Sequence, residues 1–350
     1  MAELLDIVST PPRPASRTRD WRPVWTQSPA DAIDVSVCIA NWNCVEYLRA
    51  CLQSLLHQPQ GVTIEVLVAD NASTDGAPDM VAREFPEVTL LRNTDNTGFA
   101  RASNQAADAA SGRYLFFLNN DTVVPELALE KLVAFADAHP HFGMIGPRLR
   151  DGTGKLQISY RRKPTVRAML HRAALLRWTG LFRKAYEDYR RDGFEPEGVR
   201  RVEVLMGAAV LVPREVYETV GGWDEGFVFG VEDVEYSARV GRVKPCVYVS
   251  GIEVTHFGRV SSRQNIAFAA PNLMIGYARY FRTTGVSRWA RSGYKLVFTI
   301  DAPVQLVFSG AQYLWRRLTG AGDKHVGKSR EAAEGTWRFL TRELRRFWRA

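Results

Sequence analysis

Cysteine is scarce and unpaired in this sequence. Cys38, Cys44, Cys51 and Cys246 are the only four among 350 residues, with neither the paired spacing of a zinc site nor the density of a disulfide framework. Cys38, in an apolar run, and Cys51, on the helical segment after it, read as buried thiols in a reducing cytoplasm. Long hydrophobic runs are also missing. Residues 1–33 mix Pro, Arg, Asp and Trp, so a loosely ordered arm is expected there rather than a secretory leader. Lys295, Asp301, Pro303, Gln305 and Gln312 interrupt the apolar C-terminal stretch and argue against a spanning helix. No Gly-x-Gly-x-x-Gly follows the first apolar run and no lysine-bearing phosphate loop occurs, so neither an ordinary dinucleotide site nor a P-loop fits.

What is present is ample apolar material, 46% of the chain, enough for one large α/β domain with an extension or two domains at most. The formal charge of +8 admits three acidic partners: nucleic acid, an anionic membrane surface, or a phosphate-bearing substrate. Basic groups such as Arg161-Arg162-Lys163, Arg190-Arg191, Arg316-Arg317 and Arg345-Arg346 cluster in the C-terminal two-thirds, where a solvated basic face is the simplest reading. The polar loops of the first half carry acids where a nucleic-acid groove needs cations, so no nucleic-acid partner is expected.

From Asp34 onward short β-branched runs alternate with helical periodicity. Strands are expected at Val35–Ala40, Ile64–Ala69, Val88–Leu91 and Tyr114–Leu118, and helices around Tyr47–Leu56, Ala77–Phe85, Phe99–Ala110 and Glu126–Ala138. That order implies right-handed crossovers and a largely parallel, Rossmann-like sheet flanked by helices, with ligands beyond the carboxyl ends of the strands. The polar residues fall at those ends: Asn41-Trp42-Asn43, Asp70 to Gly76, Asn93 to Gly98, and Asn119-Asn120-Asp121-Thr122. Asp70 is placed to accept a hydrogen bond from a uracil or thymine ring N–H. Asp75 suits a ligand contact and a helix N-cap equally. Asp121 ends an apolar strand and suits a hard divalent cation that keeps phosphate and water ligands, although the same residues would serve a plain turn.

In the second half, Val204–Val212 reads as one buried segment, followed by a helix to Val220. Gly221 to Gly230 brackets aromatic residues with glycines, as a wall for a sugar ring would, and leads into Glu232, Asp233 and Glu235 at a helix start. Adjacent carboxylates on a helix point about 100° apart, so Glu232 and Asp233 cannot face one site equally. His256 follows an expected strand Val247–Val249 and precedes Ser261-Ser262-Arg263, a phosphate-friendly loop.

As a set, IANWN, VADNASTDG, NTDNTGFARASNQA, YLFFLNNDT, MGAAVLVPREVYETVGGWDEGFVFGVEDVEY and THFGRVSS resemble the family 2 inverting glycosyltransferases, in particular the bacterial rhamnosyltransferase-like branch. The resemblance covers residues 34–265 and implies a GT-A fold: a nucleotide-binding half over 34–125, an acceptor and catalytic half over 126–265, and a helical extension over 266–350. It implies a nucleotide-diphosphate sugar donor, dTDP-rhamnose first and UDP-sugars next, a divalent cation (Mg2+ or Mn2+), and a glycan or polyprenyl-diphosphate-linked acceptor. Asp233 would be the general base with Glu232 next in line, and Asp121 and His256 would meet the metal. Asn119 stands where the family's metal motif usually begins with a second aspartate, a departure that also admits an inactive nucleotide-sugar-binding module. Ala40, Asn41, Asn43, Asp70, Ser73, Asp75, Asn96, Gly98, Asn104, Asn119 and Asn120 would surround the donor. Gly207, Trp223 and Asp224 would border the acceptor side.

Residues 270–318 are helix-prone and rich in aromatics among Lys and Arg. Amphipathic helices lying on the inner face of the cytoplasmic membrane are one reading; packing against the catalytic domain or a second copy is the other.

Overall fold

The computed structural model describes residues 32–190, 195–258, 266–320 and 322–350. The arm expected at 1–33 lies almost entirely outside the described residues, as does the Ser261-Ser262-Arg263 loop. Six of the seven residues of β1 (Val35–Asn41) are buried, because both faces of the strand are covered. β2 (Ile64–Asp70), β3 (Thr89–Arg92) and β4 (Tyr114–Asn119) join it in parallel, in the order β3-β2-β1-β4. The connections are α1 (Val45–Leu56), α2 (Ala77–Glu84) and α3 (Phe99–Ala109). Register aligns the strand ends: Asn41 stands opposite Asp70, Ala40 opposite Asn119, and Asp70 opposite Arg92. The four polar loops therefore share one rim.

The chain continues through β5 (Thr122–Val123), α4 (Ala128–Ala138), β6 (Met144–Arg150), β7 (Tyr160–Arg161) and three short helices, α5 (Val166–Leu170), α6 (Ala174–Thr179) and α7 (Arg183–Arg190). It returns through β8 (Val199–Val202), β9 (Val204–Leu205), β10 (Ala209–Pro213), α8 (Arg214–Val220), α9 (Glu232–Val240) and β11 (Cys246–His256). β10 enters antiparallel between β4 and β6, β11 lies parallel to β6, and β5 and β8 run antiparallel to β11. The mostly parallel sheet thus carries antiparallel members on its second half.

Three expectations are corrected. Val204–Val212 is not one segment: Val204–Leu205 pairs with Tyr160–Arg161, and only Ala209–Pro213 enters the main sheet. The break falls at Gly207, where a Cβ would lie 3.2 Å from the Asp233 Cβ, so the missing side chain lets α9 approach closely. The strand expected at Val247–Val249 runs on past a register shift to His256. The helix expected from Glu126 starts at Ala128, after Leu127 adopts a left-handed φ of 57°.

Successive residues of the central strands feed opposite faces of the sheet. Ile39 and Phe116 pack in one cluster with Leu52 and Leu132, while Cys38 and Phe117 pack in another with Val212 and Tyr236. All four cysteines are buried free thiols. A third cluster joins Phe227, Val231 and Val234 to side chains of the C-terminal helices α10 (Ile266–Thr283), α11 (Arg288–Leu318) and α13 (Leu344–Arg349), which follows α12 (Asp323–Arg338) and a π-helical turn. Asp301, fully buried in the middle of α11, accepts from Ala174 N at 2.8 Å and Leu175 N at 2.9 Å, which satisfies the free N–H groups of the first turn of α6. Among the described residues no helix is long and apolar enough to cross a membrane.

Candidate active site

The rim is built from short polar side chains that bond to one another. Asp70, 1% exposed, accepts from Asn41 Nδ2 (2.8 Å), Ser73 Oγ (2.7 Å) and Ser73 N (2.9 Å). Asn41 in turn accepts from Asn120 Nδ2 at 2.7 Å, which ties the β1 and β4 loops together. Asn43, at a left-handed φ of 48°, receives Thr74 N on its amide oxygen, and its own N–H reaches Ser73 Oγ. Asp75 uses one carboxylate oxygen on Val45 N and the other on Ala77 N, so it holds the starts of α1 and α2. These bonds shape the loop; Asp70 and Asp75 are occupied within the chain, and the N-cap position of α2 itself falls on Gly76 rather than on Asp75.

Asp121 and His256 meet because β5 pairs with the end of β11, setting His256 opposite Thr122. His256 Nε2 is 3.4 Å from Asp121 Oδ1 and 3.3 Å from Asn119 Nδ2, so Asn119 belongs to the cluster. Gln157, which sequence reasoning missed, fixes the ring. Its Nε2 donates to the His256 carbonyl at 2.6 Å, so its Oε1 faces His256 Nδ1 at 3.0 Å. A carbonyl can only accept; the amide is therefore oriented, Nδ1 carries a proton, and Nε2 is the ring nitrogen turned toward Asp121. Two donors at this separation fit cis positions on a Mg2+- or Mn2+-sized ion, where ligands about 2.1 Å from the metal stand about 3 Å apart. Among the described residues no group of three or more His, Cys, Asp or Glu is placed for a metal, so such an ion would draw its other ligands from phosphate and water.

Next along the sheet, Asn119 N bonds Ala208 O at 2.9 Å, and Gly207 beside it abuts Asp233. The Asp121 end of β4 and the first turn of α9 are thereby neighbours. Asp233 is 8% exposed, and its carboxylate accepts Arg161 Nη2 at 3.0 and 3.3 Å and Val234 N at 2.8 Å. Arg161 also donates to Tyr189 OH (3.4 Å), which bonds Tyr277 OH (3.0 Å) on α10. Burial works against the Arg161 charge, but the Asp233 carboxylate together with Tyr189 and Tyr277 more than offsets it and holds the guanidinium above its usual range. Arg161, expected on a solvated basic face, is instead a half-buried member of the site, with its Nε buried and unpartnered. Glu232 differs from its neighbour. Burial, and then the Asp233 charge, push its carboxyl up to about 8, and its Oε2 is buried without a partner. The preceding Val231 has a φ of 73°, a strained setting for a β-branched residue that aims this turn.

Trp223, expected to border the acceptor side, is a core residue. It is 2% exposed, stacks on Tyr236 with ring centroids 4.5 Å apart, and meets Phe99 and Phe117 edge-on. Asn104, expected near the donor diphosphate, is consumed by the same loop: it donates to Trp223 O and Glu225 Oε1 and accepts from Trp223 N. Asn96 accepts Gly98 N at 3.0 Å, and Gly98, at φ 83°, turns the chain into α3. Asp224 forms two bonds to Arg279 of α10, at 2.9 and 2.6 Å. Burial raises its carboxyl, but Arg279 and the Gly226 N–H more than offset this and hold it below the usual carboxylate range.

Residues 36–194 match the model of glycosyl transferase family 2. The chain is 32% identical over 207 residues to N-acetylglucosaminyl-diphospho-decaprenol L-rhamnosyltransferase of Mycobacterium tuberculosis (strain CDC 1551 / Oshkosh), an alignment covering 55% of this chain and 66% of that protein. It is 28% identical over 254 residues to the O-antigen biosynthesis protein RfbC of Myxococcus xanthus, covering 70% of this chain and 19% of that one. In fold it resembles a mannosyltransferase from Pyrobaculum calidifontis solved with GDP-Man and Mn2+, with a TM-score of 0.52 at 18% identity over 93% of this chain and 91% of that one. S. aureus TarS gives the same TM-score at 13% identity, over 89% of this chain and 55% of that one. The fold is GT-A, and the chain belongs to glycosyl transferase family 2.

Proposed function

We propose that this protein is an inverting, metal-assisted glycosyltransferase that moves rhamnose from dTDP-rhamnose to a polyprenyl-diphosphate-linked sugar, at the inner face of the cytoplasmic membrane, in cell-envelope polysaccharide synthesis. The observation that carries the reading is the position of Asp233, in the first turn of α9 against Gly207, one strand away from the Asp121–His256 pair. The rhamnosyl transfer to a decaprenol-linked sugar that names the mycobacterial relative supports the sugar and the lipid-linked acceptor.

A divalent cation held by Asp121 and His256 would supply charge neutralisation for the departing diphosphate. The chain's own residues do the rest. Asp233, oriented by Arg161, accepts the proton of an acceptor hydroxyl as that oxygen attacks the anomeric carbon from the face opposite the leaving group. One displacement inverts that carbon. Glu232, whose carboxyl burial and the neighbouring Asp233 charge push up, ionises less readily than an ordinary carboxylate and stands second as the base. The rim loops hold the nucleotide through backbone N–H groups and through the side chains their internal bonding leaves free.

The test is direct. The full chain is incubated with Mn2+ or Mg2+, a synthetic polyprenyl-diphosphate N-acetylglucosamine, and either dTDP-rhamnose or a panel of UDP-sugars. Release of dTDP and an inverted anomeric centre in the product, both abolished by EDTA, are expected. A retained configuration, or turnover unaffected by EDTA, would overturn the mechanism; turnover with UDP-sugars alone would replace the donor.

A further inference from the structure

The turn that leads into Asp233 is held against its own backbone preference. Gly230 and Val231 both stand in the left-handed region, at φ 69° and 73°, immediately before Glu232 and Asp233 open α9. Glycine takes that setting freely, whereas a β-branched residue keeps it only where its surroundings enforce it. Those surroundings are one face of α10. Leu273, Gly276 and Tyr277 follow one another at i, i+3 and i+4, so they lie along the same side of that helix.

The first two hold the backbone of the turn. A Cβ on Gly230 would lie 2.6 Å from Leu273 Cδ2, so the leucine fills the place of a side chain at 230. A Cβ on Gly276 would meet Val231 Cγ2 at 3.1 Å, Gly230 O at 3.2 Å and Val231 Cβ at 3.3 Å. The buried Val231 therefore packs on bare helix backbone. Glycine inside a helix costs stability relative to alanine; at 276 it lets α10 close on the left-handed pair. Tyr277 holds the side chain of the base. Its hydroxyl is 3.0 Å from Tyr189 OH, which accepts Arg161 Nη1 at 3.4 Å, while Arg161 Nη2 donates to the Asp233 carboxylate. Both tyrosines are buried, so their hydroxyls depend on these partners. The Arg172 guanidinium lies over the Tyr277 ring, 5.6 Å from its centroid, a contact that does not involve the hydroxyl.

Adjacent residues of one helix thus govern the two quantities on which a general base depends: where its backbone stands and where its carboxylate points. We propose that Gly276 and Tyr277 are positioning residues for Asp233, with α10 clamping the Gly230–Val231 turn through the first and anchoring Arg161 through the second. Neither residue touches the reacting atoms; both act through the carboxylate. The inference rests on Asp233 as the base, and combining each change with Asp233→Asn separates a failure of the clamp from a failure of that assignment.

The test measures single-turnover rates, KM for donor and acceptor, and melting temperature of the full chain carrying Y277F, G276A or D233N, and of the doubles Y277F/D233N and G276A/D233N. Y277F removes one hydroxyl and keeps the ring with its Arg172 contact; G276A adds one methyl and favours the helix. Each is expected to lower turnover about ten-fold with both KM values within about two-fold. Stability moves differently, falling slightly in Y277F and holding or rising in G276A, so the loss of turnover does not follow it. In the Asp233→Asn background neither change lowers turnover further, because the carboxylate through which it acts is gone. Normal turnover in Y277F overturns the proposal, whatever G276A does to folding. So does the same ten-fold loss on top of Asp233→Asn, which would place the effect elsewhere in the site, or a loss confined to KM. Near-normal turnover in Asp233→Asn alone removes the base assignment, and the proposal falls with it.

Discussion

Arg161 Nη2 lies 3.0 Å from Asp233 Oδ2, joining β7 to the first turn of α9 across 72 positions of sequence. The guanidinium is anchored to Tyr189, and through it to Tyr277, so the carboxylate is aimed by a chain of contacts that begins on the C-terminal helices.

Replacing Asp233 with Asn should lower turnover by about 10²–10⁴ and leave donor affinity within a few-fold. Arg161→Met should cost about 10² in turnover by releasing the carboxylate from its position, and destabilise the fold by roughly 3 kcal/mol by leaving a largely buried charge unpaired. Single-turnover kinetics, donor titration and urea unfolding read the three quantities. Near-normal turnover in Asp233→Asn would move the base elsewhere.

Glu232 makes stability depend on pH in a definite direction. The unfolded chain ionises this carboxyl near its usual 4.5, whereas the folded protein retains the proton up to about 8. Between those values the native state binds more protons, so stability falls as pH rises through the window, and the loss is complete above about 8. Glu232→Gln should abolish this slope. Denaturant midpoints from pH 5 to 9 should decline in the parent and be flatter in the variant; parallel curves would refute the assignment.

The Gln157 contact makes a prediction for the cation. Gln157→Leu removes the acceptor that orients His256 Nδ1 and should raise the Mn2+ concentration for half-maximal activity about 10- to 100-fold, while turnover at saturating metal recovers. Unchanged metal dependence would show that the ring holds its orientation without the amide.

Trp223 separates a packing role from a binding one. Trp223→Ala should destabilise the protein by about 3–5 kcal/mol, read as a fall in melting temperature. A higher KM for sugar with normal stability would restore the sugar-wall role.

The parallel half of the fold is legible because its strands are apolar runs that turn polar abruptly. Asn41, Asp70 and Asn119 mark those ends, and in-register pairing makes them neighbours. The partnership of Asp121 with His256 cannot be read locally, since it arises where a two-residue strand meets the far end of β11. Arg161 is hidden within a basic triplet, where composition cannot tell a solvated arginine from one drawn onto a buried carboxylate. Gln157 left no signal at all. Trp223 misled because glycines beside an aromatic serve an exposed platform and a tight interior contact alike; here Gly222 packs against Asn104. The sequence resemblance supplied the roles proposed for Asp121 and Asp233, and the geometry supplied the contacts that orient the two side chains.

The Asp224–Arg279 pair makes residues 266–350 part of the working enzyme rather than an interchangeable anchor. Splicing this tail onto a related catalytic region would transplant an arginine without its carboxylate, or strand the carboxylate of the host. Chimeras joined near residue 265 therefore need both members of the pair to travel together, and a truncation at that point removes the support of the loop from Gly222 to Gly226 along with the helices.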